Sequence, residues 1–180
     1  MKIQELLNKN IRTMGFNAIK EVEDFSDKGN FEEVIYLSSL SPAIMLEQDI
    51  KEYYALEIPR NSKFITGKEI IEANLNVNRI TVTESIINPA NLYIVSRHQG
   101  TINILKGMYP NAQMLHGNLT AEQLQGKDII GTLPPHLISA CNSYIAVTID
   151  NFDYAKDGDL DGKELQERLR ISNPISVTIA

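Results

Sequence analysis

Hydrophobic and polar positions in the second half of the chain switch regularly between a strand-like and a helix-like period. Short apolar runs predict strands at 92–95, 112–115, 128–132, 144–149 and 175–179. Helical spacing predicts helices between them, at 101–108, 120–124, 134–141 and 162–169. Strands that alternate with short helices form βαβ units, so the pattern predicts an α/β fold with a mostly parallel sheet flanked by helices.

The first half gives a less regular pattern. Ile3, Leu6, Leu7 and Ile11 recur at helical spacing and predict an amphipathic helix over the first dozen residues. Ser41-Pro42 predicts the start of a helix that runs from Ala43 to about Tyr54. We also expect strands at 34–37, 64–65 and 80–82 and a helix at 68–75. The turn-forming run 88–90 divides the chain into an additional α/β region, 1–90, and a second domain, 91–180.

Polar residues follow the predicted strands of the second half at the point where each strand ends. They are Ser96-Arg97-His98-Gln99-Gly100-Thr101, then His116-Gly117-Asn118, Gly131-Thr132-Leu133-Pro134 and Asp150-Asn151. Because the carboxyl ends of parallel strands meet at one edge of a sheet, and ligands bind there, we expect these residues to converge.

The first of these segments is typical of an anion site. A helix N-terminus presents backbone N–H groups to an anion, and Arg97 adds a donor fork suited to phosphate. His98 is suited to acid or base chemistry near neutral pH, or to donating to a phosphate oxygen. In the third segment Gly131 allows a ligand to approach the backbone, and Thr132 offers a hydroxyl. The plainer alternative for both segments is an ordinary turn between a strand and a helix.

Charge and composition narrow the class of ligand. The net charge of −6 argues against binding to duplex nucleic acid, but it allows a small nucleotide in a local pocket. Cys141 is the single cysteine, so no intramolecular disulfide forms, and its apolar surroundings place it in the core. No apolar run is long enough for a membrane span, and no secretory segment is recognisable, which predicts a cytoplasmic protein.

Familiar catalytic and metal motifs do not occur in the sequence. The three histidines have no zinc spacing, and there is no phosphate-binding Walker loop, full dinucleotide fingerprint or serine nucleophile elbow. We expect His116 and His136 at the surface. The run 157–162 imitates a calcium loop, with Asp157, Asp159 and Asp161 at alternate positions, but Arg168 stands where a bidentate glutamate is required. We therefore interpret it as an acidic loop before a helix and expect neither a metal nor a cofactor.

Four segments, taken in order, resemble a small CRISPR-associated ring-nuclease family of type III systems. They are 95–100, 130–134 with Leu137, the strand that ends in Asp150, and Gly162-Lys163-Glu164-Leu165. The similarity covers about residues 92–169 and leaves the first ninety residues outside it. It implies a Rossmann-like (CARF-like) homodimer that binds cyclic oligoadenylate, with cyclic tetra-adenylate the expected ring, and cleaves it without a metal.

The resemblance also implies roles for the strand-end residues. Cleavage requires no protein nucleophile, because a ribose 2′-hydroxyl attacks the adjacent phosphorus when it is held in line. Arg97 would then stabilise charge at phosphorus, and His98 would assist a proton transfer or donate a hydrogen bond. The groups expected to hold the phosphate and the turn around it are Ser96, Gly100, Thr101, Gly131, Thr132, Leu133 and Pro134, with Asn118 at an adenine edge.

The chain also departs from this family. Asp161 stands before Gly162, where the family tends to carry a basic residue, and an acidic loop repels a polyanion. The departure and the added N-terminal half leave a second hypothesis open, a sponge or sensor that binds a cyclic nucleotide without cleaving it. A third hypothesis is an unrelated Rossmann-like protein that binds no oligoadenylate.

Overall fold

The computed structural model describes residues 1–29, 33–59, 61–153 and 155–180. The chain divides into two compact units, which are 1–82 together with 178–180, and 83–177. Both units are built from strands and helices in alternation. None of the helices in the described ranges is long and apolar enough to cross a membrane.

The first unit carries a sheet of four strands in chain order. Its strands are β1 Asn10–Met14, β2 Val34–Ser38, β3 Glu52–Leu56 and β4 Val77–Glu84, and its helices are α1 Asn17–Val22, α2 Pro42–Glu47 and α3 Gly67–Ala73. β1 and β3 both run parallel to β2, whereas β4 pairs with β3 in the antiparallel sense. Its core is mainly aliphatic and includes Ile3, Leu6 and Ile11.

The prediction of a helix over the first dozen residues is wrong. Ile3–Leu6 forms one 3₁₀ turn, and Ile11 lies in β1 opposite Ile35 of β2. Ile3, Leu6 and Ile11 are all buried in the same core, so the apolar positions were identified correctly but their period was not. Pairing of a β-branched residue with a neighbouring strand overrides the local helical spacing here.

Two further predictions in this unit need correction. The helix that begins after Ser41 ends at Glu47, because Asp49 takes a left-handed conformation with φ of 60°, and Tyr53 and Tyr54 belong to β3. The strand predicted at 64–65 is absent, although Phe64 packs against the core. The predicted strands at 34–37 and 80–82 and the helix at 68–75 are confirmed.

The second unit confirms the strands and helices predicted for it, with bounds that differ by a few residues. They are β5 Leu92–Val95, α4 Gln99–Met108, β6 Gln113–Met114, α5 Ala121–Leu124, β7 Asp128–Gly131, α6 Pro135–Ile138, β8 Ser143–Ile149, α7 Gly162–Arg168 and β10 Ile175–Ile179. Thr120 caps α5, with Gln123 completing a reciprocal capping box. One strand was not predicted, β9 Leu169–Ile171.

The expectation of a mostly parallel sheet is confirmed in part. β6, β5, β7 and β8 lie side by side in that order and are all parallel, whereas β9 and β10 pair with β8 in the antiparallel sense. The reason lies in α7, which packs near the start of α4 through Leu165 and Gly100. The chain therefore stays at the carboxyl edge of the sheet after β8, and Leu169 re-enters the sheet from that edge, against the direction of β8.

Candidate functional site

The carboxyl ends of the four parallel strands of the second unit form one continuous edge. Thr132, just after β7, donates its backbone N–H to the Val95 carbonyl at the end of β5, at 3.0 Å. The Thr132 hydroxyl donates to the Val147 carbonyl of β8, at 3.1 Å. We call the group of polar side chains on this edge the strand-end site, and it comprises Ser96, Arg97, His98, Asn118 and Thr132.

Arg97 supplies the positive charge of the strand-end site. Its side chain is exposed, and Nη2 makes one long hydrogen bond, 3.4 Å, to Oδ1 of Asn118 after β6. Within the described ranges no carboxylate forms a salt bridge with Arg97. The guanidinium is therefore available to an anionic ligand, with Asn118 beside it.

Ser96 and His98 build the start of α4. His98 is the N-cap residue, and its Nδ1 accepts the Thr101 N–H at 3.2 Å. Ser96 Oγ accepts the His98 N–H at 3.2 Å, which leaves the hydroxyl proton of Ser96 for another acceptor. Thr101 is buried and its amide is used by the cap, so Thr101 stabilises the turn from inside.

Gly100 has a packing role. A Cβ at this position would overlap the Leu160 carbonyl oxygen and would lie 2.8 Å from Cδ2 of Leu165. Gly100 therefore lets the start of α7 pack on α4. It also lines an open groove of about 420 Å³ between these two helices, together with Asn103, Ile104 and Gln166.

The turn after β7 is held by a tyrosine that the sequence did not single out. The buried Tyr144 hydroxyl donates to the Gly131 carbonyl at 2.8 Å and accepts the Leu133 N–H at 3.2 Å. Burial raises the pKa of Tyr144 well above its usual value, so the hydroxyl keeps its proton for this bond. The two bonds flank Thr132 and fix where its side chain lies. Leu133 is buried, and the exposed Pro134 stands at the start of α6.

Replacing Tyr144 with phenylalanine is expected to lower the free energy of unfolding by about 1–3 kcal/mol, because the Gly131 carbonyl and the Leu133 amide lose their buried partner. Urea denaturation measures the loss. Tyr93→Phe is the matched control, since Tyr93 is only half-buried and we expect its replacement to change stability by less than about 0.5 kcal/mol. Equal stabilities of Tyr144→Phe and the natural protein would contradict the assigned role.

Two carboxylates of the acidic segment after β8 pair with arginines. Arg168 bonds Asp157 at 2.8 Å, and Arg170 bonds the Asp150 carboxylate at 2.8 Å. The Arg168 guanidinium lowers the pKa of Asp157, so this carboxylate stays charged and paired. Arg168, which occupies the twelfth position of the calcium-like loop, thus binds the carboxylate of the first. In the described ranges no group of three or more potential metal-ligating side chains is placed to hold a metal ion.

The remaining candidates are two histidines and the single cysteine. His116 is exposed after β6, and His136 is half-buried in α6. Cys141 is in the core as expected, 9% exposed, and burial raises the pKa of its thiol to about 12. The thiol therefore stays protonated near neutral pH and is a poor nucleophile.

The second unit thus belongs to the class of α/β proteins in which parallel strands end at one edge that carries polar side chains. Residues 93–172 match the model of a family described as "Putative CRISPR-associated protein (Cas_VVA1548)". The match confirms the CRISPR-associated resemblance and includes every strand-end residue, whereas residues 1–92 lie outside it. No curated protein matches the chain. No solved structure matches it either.

Proposed function

We propose that the second unit is a ring nuclease that binds cyclic oligoadenylate, with cyclic tetra-adenylate the expected ring, and cleaves it to switch off type III CRISPR signalling. The observation that carries the proposal is the exposed guanidinium of Arg97, which bonds Asn118 and follows β5 within the family-matched region. The backbone at the end of β5 also accepts the Thr132 N–H. In this proposal the fold is a Rossmann-like (CARF-like) variant, and the protein acts in the cytoplasm.

The reaction proposed here is a transesterification. A ribose 2′-oxygen forms a bond to the adjacent phosphorus, the 5′-oxygen of the next nucleotide leaves, and the 2′-proton passes ultimately to that oxygen. The products are a linear oligoadenylate with a 2′,3′-cyclic phosphate end and a free 5′-hydroxyl. Arg97 stabilises the charge that develops on the phosphoryl oxygens, and the Ser96 hydroxyl donates a hydrogen bond to one of them.

Thr132 has a different part in the proposal, because its hydroxyl proton is already donated to Val147. Its oxygen can therefore accept a hydrogen bond but donates none while that bond lasts. A phosphate oxygen cannot use such a partner, whereas the attacking 2′-hydroxyl can. We assign Thr132 to orienting the 2′-hydroxyl for in-line attack.

Symmetry favours a homodimer for this ligand. A cyclic oligoadenylate repeats the same phosphate and base around a ring, and a two-fold dimer presents two copies of the strand-end site. Each copy then binds one half of the ring, with Asn118 at an adenine edge.

Replacing Thr132 with valine is expected to lower kcat for cyclic tetra-adenylate by about 10- to 100-fold, because the attacking hydroxyl loses its acceptor. Thr132→Ser keeps the hydroxyl and is the matched control, with kcat within about threefold of the natural protein. Single-turnover kinetics with labelled ring measures both variants. A valine variant as active as the serine variant would remove Thr132 from the mechanism.

Binding is tested separately from cleavage by thermal unfolding in the presence of nucleotides. A cyclic oligoadenylate that binds only the folded protein, at a free concentration 100 times its Kd, stabilises the fold by about 2.7 kcal/mol. This raises the melting temperature by several degrees. We expect this shift with cyclic tetra-adenylate and a smaller one with linear tetra-adenylate. No shift with any oligoadenylate would favour an unrelated α/β protein.

The second candidate function is a sponge or sensor that binds the ring and does not cleave it. Asp161 is exposed just before α7 and carries negative charge where the family tends toward a basic residue. The exposed Asp159 adds a second negative charge nearby. A cyclic ring recovered intact from a stoichiometric complex, with no linear product, would establish this alternative.

A further inference from the structure

The backbone hydrogen bond to Nδ1 of His98 favours the tautomer that carries its proton on Nε2. Nδ1 accepts the Thr101 N–H at 3.2 Å and lies 2.9 Å from the Thr101 hydroxyl oxygen. A ring nitrogen that accepts a backbone N–H carries no proton itself, so the neutral ring is protonated at Nε2. His98 therefore presents a hydrogen-bond donor at Nε2. To act as a base at Nε2, the ring would have to carry its proton on Nδ1, and it would then lose the cap of α4.

The Nε2 donor is covered in this structure. The atom is buried, and no residue in the described ranges accepts a hydrogen bond from it. The ring of Phe152 lies against the imidazole in a T-shaped contact, with centroids 5.5 Å apart and planes at 79°. A buried N–H without a strong acceptor destabilises the arrangement that covers it.

Arg168 holds the backbone that precedes Phe152. Arg168 Nε donates to the Asp150 carbonyl at 2.8 Å, and Nη2 donates to the Asn151 carbonyl at 2.6 Å. The same Nη2 pairs with the Asp157 carboxylate at 2.8 Å. These bonds fix the two residues that precede Phe152, so the position of the ring is set at its backbone.

We infer that Phe152 is a displaceable cover on the Nε2 donor of His98. An anionic oxygen that enters the strand-end site supplies the acceptor that Nε2 lacks, and it does so by moving Phe152 aside. His98 then acts as a hydrogen-bond donor to the ligand and keeps its cap. The identity of the ligand rests on the function proposed above, whereas the cover and the position of the proton do not.

The cover is tested first without any nucleotide, by NMR of the 15N-labelled full chain. We expect one histidine ring with its proton on Nε2 and slow exchange of that proton with solvent, assigned to His98 by its loss in His98→Asn, in which asparagine retains a cap. Phe152→Ala should speed the exchange at least about tenfold, and Phe152→Leu, which keeps an apolar cover, much less. Two results from the natural protein alone would overturn the inference. They are a His98 ring proton on Nδ1, and a His98 ring proton that exchanges with solvent as fast as that of His116.

The displacement is tested by binding of cyclic tetra-adenylate. Phe152→Ala should bind the ring several-fold more tightly than the natural protein, since no cover has to be moved, and Phe152→Leu should bind with an affinity between the two. Unchanged or weaker binding in Phe152→Ala would contradict the displacement. If neither protein binds the ring, the proposed function fails, and the cover is still decided by the proton-exchange measurement.

Discussion

Replacing Arg97 with alanine is expected to lower turnover of cyclic tetra-adenylate by at least about 100-fold, the effect of removing one donor from a charge-stabilising site. Arg97 is the charged group on the strand-end edge that no carboxylate in the described ranges neutralises. The loss should appear in kcat more than in KM, because charge on the phosphoryl oxygens grows as the reaction proceeds.

Two variants control for this prediction. Arg97→Lys keeps the charge but loses the planar donor fork, so its turnover should lie between those of the natural protein and the alanine variant. Arg12→Ala removes an exposed arginine of the first unit, which pairs with Glu23, and should leave turnover unchanged. Turnover by Arg97→Ala within threefold of the natural protein would refute the role of Arg97.

Replacing Gly131 with alanine is expected to destabilise the second unit by at least about 3 kcal/mol. Gly131 has φ of 145°, and an added Cβ would overlap the Val95 carbonyl oxygen and lie 2.7 Å from its carbon. Both atoms belong to the backbone of the neighbouring strand, so no side chain can move to relieve the overlap. The close approach also brings the Thr132 amide to Val95, and the strand-end site would be distorted with it.

Gly107→Ala is the matched control for this prediction. Gly107 lies within α4, and a Cβ there meets no atom within 4 Å. Alanine in a helix is favoured over glycine by about 0.5–1 kcal/mol, so this variant should be slightly more stable. Urea denaturation of both proteins measures the difference, and a Gly131→Ala variant as stable as Gly107→Ala would contradict the packing described here.

The second unit could be predicted closely from the sequence because each local signal agreed with the fold. Thr120 and Gln123 cap the helix that helical spacing predicts there, and β5, β7 and β8 are mainly apolar runs typical of buried parallel strands. In the first unit local and long-range signals disagree. Ile11 follows a helical period but pairs with β2, and Tyr54 continues a helical pattern but belongs to β3.

Some residues of the candidate site could likewise be predicted from the sequence, and others could not. Arg97, Asn118 and Thr132 could be predicted because each lies in the segment that follows a strand, and parallel strands bring their carboxyl ends together. Tyr144 and Phe152 could not, because their contacts with Gly131 and His98 join positions far apart in the sequence. The same holds for Arg168, whose bond to Asp157 depends on how the acidic segment folds back onto α7.

Product analysis is the most direct test of the proposed enzyme. The full chain is incubated with cyclic tri-, tetra- and hexa-adenylate in the presence of a metal chelator, and the products are separated by chromatography and identified by mass. We predict linear products with 2′,3′-cyclic phosphate ends from cyclic tetra-adenylate, and none from the Arg97→Ala variant. Intact rings of all three sizes after prolonged incubation with the natural protein would contradict the account.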